Sequence, residues 1–223
     1  MIFQVAIDGP SGAGKSTVAK FLAKELNISY LDTGAMYRCL GLKAINSALD
    51  FNDENGVNRL LKNTVIDFAA KDGENLTFLD GNDVSRLIRT EQVSKAASDI
   101  SALPAVRKNM AALQRQIAFR ASCVLDGRDI GSYVLPDAKY KFFLTASAET
   151  RAKRRYDEYM AKGQKQDYQK LLSDIIQRDY NDSHRELAPL IQAKDAVYID
   201  SDVLSVRQVL DRMLSVVNDR GKI

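Results

Sequence analysis

The amino-acid sequence predicts an α/β fold, with a five-stranded parallel sheet covered by helices on both faces. Three observations predict it. Five short apolar runs, at 2–7, 28–31, 123–125, 140–144 and 196–199, are separated by stretches with helical periodicity. Each run is near-continuously apolar, as strands buried on both faces are. The first run passes through a glycine-rich turn into a helix, which is how a βα unit begins. The 223 residues suit one large domain or one domain with insertions.

The elements follow in order. After the first strand, Val18, Phe21, Leu22 and Leu26 recur at helical spacing, and the helix should end near Asn27. The second strand, 28–31, leads through Asp32-Thr33-Gly34 to a helix over about 35–48. Residues 50–89 are dense in Asn, Asp and Gly. Their two short runs, 64–68 and 76–79, are joined by 69–75, and Asp80-Gly81-Asn82 marks a turn. This segment reads as a small β-rich insertion. The helix signal returns near Gln92, and Pro104 suits the first turn of another helix, carried to Phe119 by Val106, Met110, Leu113 and Ile117. The third strand ends in Asp126-Gly127-Arg128-Asp129. After the fourth, residues 148–185 are very polar, and Gly163 separates two helical stretches that read as a mobile hairpin or lid. The last strand is followed by a helix over 203–217.

Composition excludes several classes. Hydrophobic residues make up 45% and charged residues 27%, which rules out disorder, collagen or coiled coil for the whole chain. With 32 basic and 29 acidic residues interspersed, no dense basic stripe points to nucleic acid. Two cysteines without a CxxC pair argue against a disulfide scaffold or zinc site and for a reducing compartment. His184 is the only histidine, so a mechanism needing two is excluded. With no signal-like start and no long apolar window, the expected location is the cytoplasm, away from membranes.

The sharpest motif is Gly9-Pro10-Ser11-Gly12-Ala13-Gly14-Lys15-Ser16-Thr17, a match to G-x-x-x-x-G-K-[ST] between a strand and a helix. Glycines let the backbone turn tightly and aim its N–H groups at phosphate oxygens at a helix N-terminus. Lys15 brings charge to the β- and γ-phosphates, and the Ser16 hydroxyl is a magnesium ligand candidate. The fold expectation is therefore a P-loop three-layer sandwich. The loop alone does not separate kinase, GTPase and ATPase, but no guanine-reading N-K-x-D sequence follows.

Further polar residues fit transfer between two anions. Thr33 and Arg38 lie at the carboxyl end of the second strand, where open α/β sheets bind ligands. Arg151, Arg154 and Arg155 share one helical face; Arg178, Asp182 and Arg185 share another. Either set reads as a solvated, salt-bridged surface or as guanidinium forks that clamp phosphates and exclude water on closure. Asp126 occupies the place of an acid near magnesium, Asp129 can face the metal or a second substrate, and Arg128 adds positive charge. Phosphoryl transfer relies on positioning and electrostatics, so it needs no catalytic histidine.

These motifs resemble the bacterial cytidylate kinase family of nucleoside-monophosphate kinases over essentially the whole chain. The resemblance rests on Ile7-Asp8-Gly9-Pro10-Ser11-Gly12-Ala13-Gly14-Lys15 and Leu31-Asp32-Thr33-Gly34-Ala35-Met36-Tyr37-Arg38. Ile88-Arg89-Thr90, Asp126-Gly127-Arg128-Asp129-Ile130-Gly131, Pro136-Asp137-Ala138 and Arg178-Asp179 extend it. It implies a core formed by 1–49, 90–147 and 188–223, a nucleoside-monophosphate-binding insertion at 50–89 and a lid at 148–187. It implies ATP phosphates on residues 9–17 and CMP or dCMP held by Thr33, Arg38, Ser98, Arg107, Asp129, Arg178, Asp182 and Arg185. Lys15, Arg128, Arg155 and Arg178 would be catalytic, and Ser16 and Asp126 would serve magnesium held largely by nucleotide phosphates and water. The sequence departs from some relatives in having Ser16 for glycine and Asn181 for arginine. The expected protein is a monomer that binds ATP and CMP or dCMP, with no nucleic-acid or membrane partner. The rival readings are a kinase for UMP or a non-nucleotide metabolite, and a P-loop regulatory protein.

Overall fold

The computed structural model describes residues 2–71 and 74–221. Five parallel strands form the main sheet: β1 (Gln4–Asp8), β2 (Ser29–Asp32), β6 (Cys123–Gly127), β7 (Tyr140–Thr145) and β8 (Val197–Asp200). Their order is β2-β6-β1-β7-β8, so β1 lies at the centre with β6 and β7 as neighbours. The register aligns Asp8 with Gly127 and Phe143. This brings the carboxyl ends of the central strands to one edge, where ligands bind in open α/β sheets.

The expected five-stranded sheet is present. Helices α1 (Lys15–Glu25), α2 (Thr33–Asn46), α4 (Glu91–Ile100), α5 (Pro104–Ala118) and α8 (Val206–Gly221) occupy the predicted places, with ends shifted by a few residues. The chain folds into two compact units: Met1–Asp32 with Arg115–Ile223, and Thr33–Gln114. In the first, Val5, Ile7, Val124, Phe142, Leu144 and Ile199 of the sheet form one core with Val18 and Leu22 of α1 and Leu210 and Met213 of α8. Burying these aliphatic and aromatic side chains contributes roughly 1.5–3 kcal/mol each relative to exposure.

The polar segment after β7 forms two packed helices, α6 (Ala148–Ala161) and α7 (Tyr168–Ser183). Ser147 caps α6 by accepting from the Thr150 N–H, and Asp167 caps α7 by accepting from the Gln169 N–H. Gly163 sits between them at φ +70°, where a side chain would be strained.

In the second unit, α2 packs on α4. A Cβ at Gly41 would come within 2.7 Å of the Ala97 backbone nitrogen, so only glycine permits this approach. The 50–89 segment holds a three-stranded antiparallel sheet of β3 (Ile66–Lys71), β4 (Glu74–Leu79) and β5 (Asn82–Asp83). The strands extend into the expected 69–75 connection, of which Asp72 and Gly73 lie outside the described residues. The segment also contains a helix, α3 (Glu54–Lys62), which the β-rich reading misses. Its buried Val57, Leu60 and Leu61 have helical spacing, Glu54 lies in its first turn and Arg59 and Lys62 in its last. Burial of that face outweighs the poor helix propensity of its Asn and Gly residues. Among the described residues no helix is long and apolar enough to cross a membrane.

Candidate active site

The phosphate loop takes its shape from three glycines with positive φ: Gly9 at +145°, Gly12 at +81° and Gly14 at +90°. Gly9 is the most constrained, because a Cβ there would lie 1.9 Å from the Leu144 carbonyl oxygen. Gly14 precedes α1, so the loop delivers its N–H groups at a helix N-terminus.

Three of the loop carbonyls accept hydrogen bonds from side chains. Lys15 Nζ donates to the Pro10 carbonyl at 2.7 Å, and Arg151 donates through a terminal nitrogen to the Ser11 carbonyl at 3.0 Å. The Ser201 hydroxyl lies 3.3 Å from the Ala13 carbonyl and 2.9 Å from that of Thr145. Arg154 in turn donates to the Ser201 hydroxyl and carbonyl. Pro10, Ser11 and Ala13 are thus held by side chains, while Thr17 lies exposed on α1.

Near Lys15 lies the buried carboxyl of Asp126. The Ser16 hydroxyl donates to one oxygen of Asp126 at 2.7 Å, and the Tyr30 hydroxyl to the other at 2.8 Å. Burial and the Asp32 charge push the Asp126 carboxyl up, against the opposing pull of Lys15 and these hydrogen bonds. Burial, then the Arg128 charge, hold Lys15 well below the usual lysine range, opposed by Asp126 and Asp8. A phosphate beside Lys15 would favour its charged form. Ser16 and Asp126 offer a hydroxyl and a carboxylate, the oxygen donors magnesium takes alongside phosphate and water.

A second cluster centres on Asp182 of α7, which is 1% exposed. Arg128 Nε donates to one carboxylate oxygen at 2.8 Å and Arg185 donates to the other. Burial alone would raise this carboxyl, but the Arg128, Arg185 and Arg178 charges hold it below the usual range. The structure therefore joins Arg128 and Arg185 directly to Asp182, with Arg178 close enough to act through its charge. Arg155 instead donates to the Tyr159 hydroxyl at 3.3 Å and lies over that ring, on its own helix.

Asp129 is buried beside Asp8, a residue to which the sequence pattern assigns no role. The Asp8 carboxylate accepts the N–H groups of Ile130 and Gly131 at 2.7 Å each. Those residues open a wide helical turn, Ile130–Val134, so Asp8 fixes the backbone just after Arg128 and Asp129. Burial pushes Asp8 up to about 7 despite the two hydrogen bonds that favour its charge. Its place directly before Gly9 is the one signal the sequence carries for it.

The remaining expected residues belong to the second unit. Thr33 is the buried first residue of α2, and Arg38 lies half-buried one turn on. Ser98 is half-buried on α4, and its carbonyl accepts from the Ser101 hydroxyl. Arg107 on α5 is only 2% exposed; it donates to the Ser101 carbonyl at 3.2 Å and lies 5.7 Å from the Tyr37 ring centroid.

The family model described as cytidylate kinase matches residues 5–219. A cytidylate kinase from Caldicellulosiruptor saccharolyticus is 50% identical over 212 residues, covering 95% of this chain and 94% of the relative. A cytidylate kinase from Geobacillus sp. strain WCH70 is 48% identical over 217 residues, covering 97% of both. Among solved structures, an uncharacterized protein from Eubacterium ventriosum superposes with a TM-score of 0.53 at 16% identity, covering 97% of this chain and 98% of that one. This last likeness concerns the fold alone.

Proposed function

The chain belongs to the cytidylate kinase family, and from that premise we propose that it transfers the γ-phosphoryl group of ATP to CMP or dCMP, giving ADP and CDP or dCDP. One observation carries the chemistry: the phosphate loop with Lys15, the Ser16–Asp126 pair and the Arg128–Asp182–Arg185 cluster belong to one folded unit.

ATP phosphates sit on residues 9–17. An oxygen of the acceptor phosphate attacks the γ-phosphorus in line, and ADP leaves without a covalent enzyme intermediate. Lys15, Arg128 and Arg178 stabilise the negative charge on the transferring group, as preorganised cations do in a site shielded from water. Arg155 belongs to this set by its match to the family and reaches the phosphates by leaving Tyr159. Ser16 and Asp126 would hold magnesium, which would draw charge from the phosphate oxygens.

By their match to the family, Thr33, Arg38, Ser98, Arg107, Asp129, Arg178, Asp182 and Arg185 serve acceptor recognition. Arg38 and Arg107 suit the acceptor phosphate, Ser98 and Arg185 the cytosine, and Asp129 the sugar. The division into core, 50–89 insertion and 148–187 lid belongs to the same proposal. So do a monomeric state and a cytoplasmic location, the latter suited by the buried thiols of Cys39 and Cys123.

The test is ADP formation from Mg-ATP with CMP, dCMP, UMP, AMP, GMP or no acceptor. Strong turnover restricted to CMP and dCMP is expected. Equal turnover without acceptor would refute the reading. In the same assay Arg38→Ala should lose about 10²-fold in kcat/KM for CMP, with ATP affinity little changed. Unaltered CMP kinetics would remove Arg38 from the site.

A further inference from the structure

Arg151 belongs by its spacing to the arginines that could clamp phosphates, yet its guanidinium is turned toward the protein. It is 4% exposed. Its Nε donates to the Ala146 carbonyl at 2.9 Å and to the Ser147 carbonyl at 3.2 Å. One terminal nitrogen donates to the Ser11 carbonyl at 3.0 Å and the other to the Asp179 carboxylate at 2.6 Å. Its stem passes the loop closely, since a Cβ at Gly12 would lie 3.2 Å from Arg151 Cβ. One planar fork thus joins the phosphate loop, the β7–α6 connection and α7. Lysine, with a single ammonium on a flexible stem, cannot reproduce this geometry.

We infer that Arg151 is a positioning residue of the phosphate loop: it fixes the Ser11 carbonyl outward and, through Asp179, ties the loop to the helix that carries Arg178 and Asp182. The inference rests on the reading that residues 9–17 hold nucleotide phosphates. Holding a carbonyl outward keeps its negative end away from the anion and leaves the adjoining N–H groups free to face it. Asp179 lies between Arg178 and Asp182 along α7, so its tie to Arg151 also sets the height of that helix relative to the loop. The other Asp179 oxygen is buried and has no hydrogen-bond partner among the described residues, so the Arg151 contact is its main compensation.

This arrangement separates stability from positioning. Arg151 is buried and Asp179 half-buried, so removing one member of the pair leaves the other poorly compensated, whereas replacing both by apolar residues of similar volume restores much of the stability. The experiment uses the full chain with Arg151→Met, Asp179→Leu, the double variant and Arg151→Lys. It measures Tm, ADP affinity by calorimetry, and KM for ATP and CMP. The single Met and Leu variants should melt lower and the double variant should recover. ADP affinity should stay weakened about tenfold in Arg151→Met and in the double variant, the scale of one lost hydrogen bond to a charged group. Arg151→Lys should show the same ADP defect at nearly unchanged Tm, with KM for CMP moving much less than KM for ATP. ADP affinity that returns with Tm in the double variant, or is unchanged in Arg151→Lys, would overturn the inference. A wild-type chain that binds ADP but does not phosphorylate CMP would refute the acceptor reading and leave this test intact.

Discussion

The phosphate loop and the α6–α7 pair meet at Arg151, but they are built in opposite ways. The loop is specified locally: three glycines adopt positive φ, and the chain then enters a helix. The helical pair is specified by distant partners, with Arg128 and Asp182 separated by 54 residues in the chain and Arg151 reaching the loop 140 residues away. A loop that needs particular backbone angles tolerates almost no substitution at its glycines. A charge cluster depends instead on balance, so the same guanidinium can serve a phosphate or a carboxylate according to what it meets.

The largest expected effect lies in the loop. Gly9→Ala places a methyl 1.9 Å from a backbone carbonyl oxygen. It should cost about 4 kcal/mol or more of stability, the scale of a severe steric and backbone conflict. A melt within a few degrees of wild type would show that the loop is more plastic than its glycines imply. Next comes the cluster. Asp182→Ala leaves Arg128 and Arg185 without their shared carboxylate and should cost about 3 kcal/mol. Because the folded Asp182 carboxyl lies below its ordinary value, its stabilisation is complete above the usual carboxylate range. That stabilisation is lost as pH falls through the depressed folded value. Acid titration of unfolding should therefore show a smaller loss of stability at low pH in Asp182→Ala than in wild type.

This contrast also explains what could be read from the sequence. The five strands, the loop and the Gly163 break were legible because apolar runs and glycines impose local geometry. Ser16 and Asp126 were legible as a pair of oxygen donors, and they meet at 2.7 Å. Helix α3 was not, because Asn and Gly masked the spacing of Val57, Leu60 and Leu61. The fates of Arg151, Arg154 and Arg155 were not legible either. Helical periodicity told which residues share a face, but the partners Asp179, Ser201 and Tyr159 come from folding or rotamer choice. The role of Asp8 is not legible in the sequence, because its hydrogen bonds reach Ile130 and Gly131, 122 and 123 residues away.

Two smaller effects are expected, one at Ser16 of the loop and one on α8. Ser16→Ala removes the hydroxyl bonded to Asp126 without disturbing a buried core. It should raise the magnesium concentration for half-maximal activity about tenfold, with little change in Tm. An unchanged magnesium dependence would take Ser16 out of the proposed magnesium site. On α8, Arg207 pairs with Asp211 at 2.9 Å, but their side chains are 70% and 51% exposed. Arg207→Ala should change stability by less than about 0.5 kcal/mol, and a denaturant titration would read it. A loss as large as that of Asp182→Ala would mean that burial does not distinguish these ion pairs.

The most direct measurement follows the fate of the phosphoryl group. Wild-type protein is incubated with ATP labelled at the γ-phosphorus, magnesium and CMP, and the products are separated. Label is expected in CDP in step with ADP formation, with little in inorganic phosphate. Label released as inorganic phosphate at the same rate with or without CMP would contradict it.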